Sequence, residues 1–327
     1  MIKFFRQSYA IQYVVIALLA IALWIPVFVS GKEVTGLESP VTPIFNVVSG
    51  ILDFSYPVQL IFAFLLLVLE TLIFNMILVD NQIVGKVSTM GAFVFVLLMS
   101  LTRTQVSLYP FSLSVVFILL AISNIFKIYQ IPNPEFNLVK AGAFVALASM
   151  CYFPNVILVL WIFVVLPIAK KGSLRLQLIP VFGFLFVYFA YFVSLFFFGD
   201  IQQVLIGYRD YFSSFQLSVE GFSLRVIILL SVLVAATAFL LLGGNNVNLE
   251  KAVAVRTKIS ITVVLAFFAV FLLFLGGNVL MNGLIFIVLS ILVAYSFSYL
   301  GNPRWADLFL ALFLVLVFAN HYYFKLL

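Results

Sequence analysis

Long apolar runs make up most of the chain, and short groups of charged residues, Gly, Pro and Asn separate them. A helix needs about 20 apolar residues to cross the roughly 30 Å hydrocarbon core of a bilayer, and unpaired backbone groups cannot face lipid. Cutting the chain at its polar interruptions therefore predicts about eleven transmembrane helices. They cover residues 8–30, 57–79, 87–102, 110–127, 138–152, 155–170, 178–198, 224–243, 259–276, 281–300 and 306–321.

Composition supports a membrane environment for the whole chain. Hydrophobic residues make up 65% of the 327 residues, charged residues only 9%, and the mean hydropathy is +1.29. A soluble domain carries roughly 25% charged residues, so this chain lacks the polar groups that would cover a globular surface. These values exclude a soluble enzyme, a nucleic-acid-binding protein and a disordered chain. We predict an all-α integral membrane protein with one polytopic domain over residues 1–327.

Few residues are suited to metal or redox chemistry. The chain has one cysteine, Cys151, so an internal disulfide is impossible and no zinc-type spacing occurs. It contains one histidine, and we find no P-loop and no Ser-His-Asp candidate. We therefore expect no bound metal and no cofactor.

Basic residues in short loops indicate the orientation, because Lys and Arg are enriched on the cytoplasmic side. With a cytoplasmic N-terminus, twelve of the 17 basic residues fall on the inner side. The outer side receives Lys32, Arg103, Arg209, Arg225 and Lys325. This asymmetry predicts that the N-terminus is cytoplasmic.

Two segments on the predicted outer side, 31–56 and 199–222, are long enough to hold structure of their own. In each, apolar residues recur at helical spacing and polar residues lie off that stripe, which predicts a short helix in the membrane interface. The stripe contains Ile44, Val47, Val48, Ile51 and Leu52 in the first segment, and Val204, Leu205, Tyr208, Tyr211, Phe212 and Phe215 in the second.

Glu70 and Asn75 interrupt the second predicted transmembrane helix. A charge inside hydrocarbon costs about 2.5–3.5 kcal/mol on insertion scales, so an intramembrane acid needs an explanation. Two interpretations stay open. Glu70 binds a proton or a cation beside a cavity, or it is a protonated or hydrogen-bonded side chain that ties helices together.

Ionisable residues on the predicted outer side suggest a site for a phosphate-bearing lipid. Glu33 and Glu38 lie in the first outer segment, and Arg103, Arg209 and Arg225 lie in or beside later ones. Arg grips phosphate with a bidentate fork, and a carboxylate can serve as a general base for an acceptor hydroxyl. The alternative is that these charges lie outside simply because water is there.

The sequence Tyr208-Arg209-Asp210-Tyr211 adds a candidate sugar site. Aromatic rings can stack on a sugar, and a carboxylate such as that of Asp210 can accept hydrogen bonds from its hydroxyl groups. Tyrosines also form the ordinary aromatic belt at the headgroup level of membrane proteins. Both explanations fit Tyr208 and Tyr211.

The stretch from about 85 to 185 carries a resemblance to a known superfamily. It reads SLTRTQVSLYP, then FSLSVVFILLAISNIFKIYQIPNPEF, then VKAGAFVALASMCYFPNVILVLWIFVVLPIAKKG. In order and spacing this resembles the membrane core of the GT-C superfamily, the polytopic glycosyltransferases that use polyprenyl-phosphate-linked sugars. Those enzymes usually carry an Asp or a paired Asp/Glu signature in the first outer loop, where this chain has Glu33 and Glu38. The whole chain also resembles a multi-pass family of Bacteroidota inner membranes.

The GT-C resemblance implies a protein of the bacterial inner membrane that handles a polyprenyl-phosphate-linked sugar in cell-envelope glycan assembly. Glu38 or Glu33 would then be the catalytic base. Arg103 with Arg209 or Arg225 would hold the phosphate, and Tyr208, Tyr211 and Asp210 would contact the sugar. Two other hypotheses stay open: a transporter or lipid-handling protein that uses Glu70, and a non-catalytic membrane subunit of an envelope complex. Membrane lipids are expected partners in every case.

Overall fold

The computed structural model describes residues 2–5, 10–30, 41–51, 56–85, 87–101, 106–199, 201–213, 249–275, 283–299 and 303–322. Helix accounts for 87% of the structure, and no strand occurs among these residues. The helices are α1 (Ile2–Phe5), α2 (Ala10–Ser30), α3 (Pro43–Ile51), α4 (Tyr56–Asp80), α5 (Met90–Met99), α6 (Pro110–Ile128), α7 (Glu135–Cys151), α8 (Leu158–Ile168), α9 (Leu174–Phe198), α10 (Ile201–Ser213), α11 (Leu249–Leu275), α12 (Leu284–Tyr299) and α13 (Pro303–Tyr322), with a 3₁₀ turn at Phe153–Ile157.

Five of the described helices, α2, α4, α6, α9 and α11, are long enough and apolar enough to cross a membrane. Other apolar helices are shorter, among them α5 and α12. The predicted all-helical fold is confirmed, and these helices are consistent with the predicted multi-pass membrane protein. About eleven crossings stay a prediction, and the predicted helix at 224–243 lies outside the described residues.

Helix α5 forms the centre of the bundle. All ten of its residues are buried, and it packs mainly against α12 and α4, with further contacts to α2 and α1. At 1.5 Å per residue it is about 15 Å long, half the thickness of a hydrocarbon core. The sequence predicts a helix at 87–102 here. In the structure the helix is shorter and covers only Met90–Met99.

Helices α7 and α9 approach each other closely because glycine replaces a side chain at each point of contact. A methyl group on Gly142 would overlap the backbone of Pro180, and one on Gly183 would overlap the backbone of Val139. Small residues permit such close backbone packing between membrane helices. Helix α7 also packs extensively against α6, so it lies between α6 and α9.

Both helices predicted for the outer segments are present, as α3 and α10. On α3, Phe45 is buried, whereas Val47 and Ile51 of the predicted apolar stripe are exposed. On α10, Leu205 and Ile206 are exposed. Exposed apolar residues suit helices that lie at a membrane surface, and that position stays a prediction.

A buried lysine links two helices at the end of α4. Lys258 of α11 is fully buried, and its Nζ donates a hydrogen bond of 2.9 Å to the backbone carbonyl of Asn81. Carbonyls at a helix C-terminus have no partner within the helix, and a cation there is favourable. Lys258 therefore caps α4 from a distant part of the chain.

Candidate functional site

An open apolar groove of about 580 Å³ lies between α8 and α9. The 3₁₀ turn and α8 contribute Val156 and Leu160 to one wall, and α9 contributes Val181 and Leu185 to the other. Of the lining residues, only Tyr211 of α10 carries a polar side-chain atom. We call this cavity the α8–α9 groove. With almost no hydrogen-bonding groups, its walls suit a hydrocarbon chain.

The 3₁₀ turn that forms part of the groove is held in place by Asn155. Pro154 near its start disfavours continuation of α7, as expected for a residue that constrains its neighbour's backbone. The Asn155 side-chain amide donates to Ser114 Oγ at 3.0 Å and to the Ala148 carbonyl at 3.3 Å. The turn is therefore tied to both α6 and α7.

Helix α10 docks on this turn through its two predicted sugar-site tyrosines. The rings of Tyr208 and Tyr211 meet the Phe153 ring edge-on, with centroids 5.3 and 5.2 Å away. Each tyrosine is half-buried, while Arg209 and Asp210 are exposed. At 100° per residue, these two charged residues lie on the face of α10 opposite the tyrosines.

The buried phenols beside α10 remain neutral at physiological pH. Burial and the nearby phenols of Tyr188 and Tyr191 raise the pKa of Tyr208 well above its usual value. Burial also raises the pKa of Tyr211. Ser149 and Tyr188 share a hydrogen bond of 2.8 Å between their hydroxyl groups. These phenols therefore cannot serve as bases, and the hydroxyl oxygen of Tyr208 is itself buried.

Glu70 and Asn75 are both buried in α4, but their surroundings differ. The Asn75 amide donates to the Tyr13 hydroxyl at 3.1 Å and accepts from the Ala92 backbone N–H at 3.2 Å, so it ties α2, α4 and α5 together. Glu70 is 2% exposed, and its Oε1 has no hydrogen-bond partner among the described residues. The hydrogen bonds of Asn75 account for an amide in this buried position. No such bond accounts for the buried carboxyl group of Glu70 among the described residues.

The remaining predicted site residues cannot be placed. Glu33, Glu38, Arg103 and Arg225 lie outside the described residues. Their approach to Arg209 stays a prediction.

Sequence reasoning missed two features of the site. The α8–α9 groove depends on two helices meeting sideways, which no local pattern predicts. Tyr109 is fully buried with an unpartnered hydroxyl group within the described structure, and it interacts electrostatically with Glu70. The signal available for Tyr109 was its place before Pro110, since proline favours the first position of a helix.

No protein-family model matches the chain, and no curated protein and no solved structure matches it either. The geometry and chemistry of these residues therefore carry the functional inference.

Proposed function

We propose that this protein binds a polyprenyl-phosphate-linked sugar at the outer face of a bacterial inner membrane. The observation that carries the proposal is the α8–α9 groove with α10 beside it. The groove offers apolar walls between two apolar helices, and α10 carries neutral phenols beside it and a cation on its exposed face. An amphiphile with a long apolar chain and a phosphorylated polar head combines the two chemistries that these elements present.

The apolar chain would enter the groove sideways from the bilayer. Leu160 and Leu185 line the groove and are both largely exposed, so lipid reaches its walls without crossing a polar layer. An apolar chain gains little energy on moving from lipid to an apolar wall, because lipid tails are equally apolar. Selectivity for this lipid would therefore come from shape and from the head group.

Arg209 is the described residue best suited to the phosphate. Its guanidinium is exposed on α10, on the face opposite the groove-lining Tyr211, where a head group that extends past the helix would meet it. Arg presents a planar fork that matches phosphate oxygens. Tyr208 and Tyr211 would contact the sugar through the accessible parts of their rings, and Asp210 would accept hydrogen bonds from its hydroxyl groups.

The resemblance to GT-C enzymes supports a further step, in which the sugar is transferred to an acceptor. In that step Glu38 or Glu33 would act as general base, and Arg103 or Arg225 would share the phosphate with Arg209. A carboxylate within hydrogen-bond reach of the acceptor hydroxyl is the minimum requirement. The two alternatives, a transporter that uses Glu70 and a non-catalytic envelope-complex subunit, need neither Glu38 nor Glu33.

Lipid binding is tested by purifying the protein from bacterial membranes and identifying retained lipids by native mass spectrometry. Wild type should retain polyprenyl phosphates. Leu160→Trp fills the groove and should reduce the retained amount several-fold, whereas Leu65→Trp adds the same side chain at a similarly exposed site on α4. Equal retention in wild type and Leu160→Trp, or no polyprenyl lipid at all, would refute the proposed function.

The catalytic step needs a separate test of proximity. Cys151 is the only cysteine and is buried, so introduced thiols can be cross-linked with little background. The double variant Glu38→Cys with Arg209→Cys should cross-link with a short thiol reagent. Glu38→Cys with Arg256→Cys should not, because Arg256 of α11 is one of the basic residues predicted on the inner side. Failure of the first pair would remove Glu38 from the site and favour a binding function without transfer.

A further inference from the structure

Glu70 lies level with the C-terminal turn of α5. Helices α4 and α5 run antiparallel, because Asn75 bonds to Ala92 and the Phe74 ring stacks on Phe95 with centroids 4.5 Å apart. Going four residues back from Phe74 leads to Glu70. Going four residues forward from Phe95 leads to Met99, the last residue of α5.

The backbone leaves helical geometry at this level while still inside the protein. Helix α5 ends at Met99, and the adjoining residues Ser100 and Leu101 are buried. In the last turn of α5 the Val96 and Leu98 carbonyls accept hydrogen bonds from the Ser100 and Leu101 N–H groups, and this carbonyl end is the negative end of the helix dipole. Non-helical backbone at membrane depth is tolerated where protein or a polar cavity surrounds it.

Tyr109 carries a second buried side-chain oxygen, and its phenol lies close enough to Glu70 for an electrostatic interaction. It immediately precedes α6, and the Ser112 hydroxyl holds this start by accepting from the Tyr109 N–H at 3.2 Å and donating to the Tyr109 carbonyl at 2.7 Å. The phenol interacts electrostatically with Glu70, and its hydroxyl group is buried without a partner within the described structure. Two unsatisfied oxygens, Glu70 Oε1 and Tyr109 Oη, are therefore enclosed in the same region of the bundle.

No basic side chain of the described residues balances the negative character of these groups. A carboxylate, a phenol oxygen and the carbonyl end of a helix are all electron-rich, and low-dielectric surroundings strengthen their mutual repulsion. None of the described basic residues forms an ion pair with Glu70. The buried Lys258 donates instead to the end of α4, ten or more residues away along that helix.

We propose that Glu70, Tyr109 and the last turn of α5 form a binding site for a small monovalent cation inside the helix bundle. Hard cations prefer oxygen ligands, and cation sites in transporters use the C-terminal ends of broken helices in the same way. The carboxylate neutralises the ion, the phenol oxygen adds a second ligand, and the negative end of the α5 dipole favours a cation at this level. This site is separate from the α8–α9 groove and does not depend on the proposed function.

Dicyclohexylcarbodiimide, an apolar reagent that modifies protonated carboxyl groups in membranes, provides the test. A bound Na⁺ keeps Glu70 deprotonated and should protect it. Purified full-length protein in lipid nanodiscs is labelled at constant pH and ionic strength, with NaCl replacing choline chloride. Peptide mass spectrometry then measures labelling at Glu70.

Labelling of Glu70 should fall as Na⁺ rises. Tyr109→Phe removes one ligand and should raise the half-protecting Na⁺ concentration roughly tenfold, the size expected for a charge-assisted contact. Tyr129→Phe is the matched control, because it deletes the same hydroxyl group at the opposite end of α6. Its protection curve should follow wild type.

Three results would overturn the proposal: no labelling of Glu70, labelling that Na⁺ does not change, or equal shifts in the two Tyr variants. The wild-type titration alone decides the first two. A variant that fails to fold therefore leaves the proposal testable.

Discussion

Helices α5 and α9 are both almost entirely apolar, yet α5 is buried in the protein and α9 is largely exposed. All ten residues of α5 are buried, whereas only 11% of the most apolar stretch of α9 is buried. Helix α5 is surrounded by α1, α2, α4 and α12. Helix α9 makes its main contact along one line, where its glycine meets α7, and exposes a series of phenylalanines to the surroundings.

The difference shows what organises a helix bundle in lipid. In water, apolar surface is driven inward, but lipid tails are as apolar as a leucine side chain. Hydrophobicity therefore cannot decide which helix is central. Close packing, small residues and a few buried hydrogen bonds decide it instead, and each can be removed separately.

The largest effect is expected from truncating a ring in α5. Phe95 is 0% exposed and stacks on Phe74, so Phe95→Ala leaves a cavity and should lower the free energy of unfolding by about 3 kcal/mol. Phe186→Ala in α9, at a ring that is 63% exposed, should change it by less than about 0.5 kcal/mol. Unfolding with SDS in mixed micelles measures both. Equal losses would mean that α9 is as enclosed as α5 in the folded protein.

A methyl group at the α7–α9 contact should have the next largest effect. Gly142→Ala forces the helices apart because its Cβ would meet the Pro180 backbone, and overpacking of this kind costs about 1–3 kcal/mol. Gly50→Ala on α3 meets no atom within 4 Å and serves as the control. The same unfolding measurement applies. A Gly142→Ala protein as stable as wild type would show that α9 is not held by this close approach.

Removing the buried polar link of α5 should cost less. Asn75→Leu deletes the hydrogen bonds to Tyr13 and Ala92 and should lower stability by about 1 kcal/mol, in line with hydrogen bonds between membrane helices. Asn124→Leu is the comparison, because that amide bonds at 2.7 Å only to Leu120 in its own helix. If both variants lost the same free energy of unfolding, the hydrogen bonds of Asn75 between helices would stabilise the protein no more than a bond within one helix.

The smallest effect is expected at the ion pair that joins the ends of α7 and α9. Arg175 Nη2 lies 3.0 Å from Glu135 Oε1, with the side chains 81% and 48% exposed. Exposed ion pairs contribute about 0–1 kcal/mol, so Arg175→Gln should change the melting temperature only slightly. High salt should erase the remaining difference between variant and wild type. A large fall in the melting temperature that salt does not change would mean that Arg175 stabilises this end of α9 by contacts other than the ion pair.

Several helix positions could be predicted closely from the sequence, whereas α11, predicted at 259–276, begins at Leu249 and continues through four charged residues. The segment predicted at 57–79 is Tyr56–Asp80 in the structure, and that predicted at 110–127 is Pro110–Ile128. Charges, prolines and polar turns mark such ends because backbone groups and charges must leave the lipid together. The lateral arrangement could not be predicted, since α5 and α9 carry the same kind of apolar pattern.

The candidate site was only partly accessible from the sequence. Glu70 and Asn75 stand out as polar residues in an apolar run, and α10 was expected as an amphipathic helix. Which of the two polar residues is satisfied depends on Tyr13 and Ala92, which are distant in sequence. Tyr109 resembles an ordinary interfacial tyrosine until its burial is known.

The packing of α5 against α12 has a consequence for synthesis. Its main partner begins about 200 residues later in the chain, and at roughly 5–20 residues per second a ribosome needs about 10–40 s to reach it. During that interval a segment of half-membrane length stays next to lipid or an insertion chaperone. A nascent chain that stops before Leu284 never acquires that partner, so the face of α5 that α12 covers in the complete protein stays uncovered.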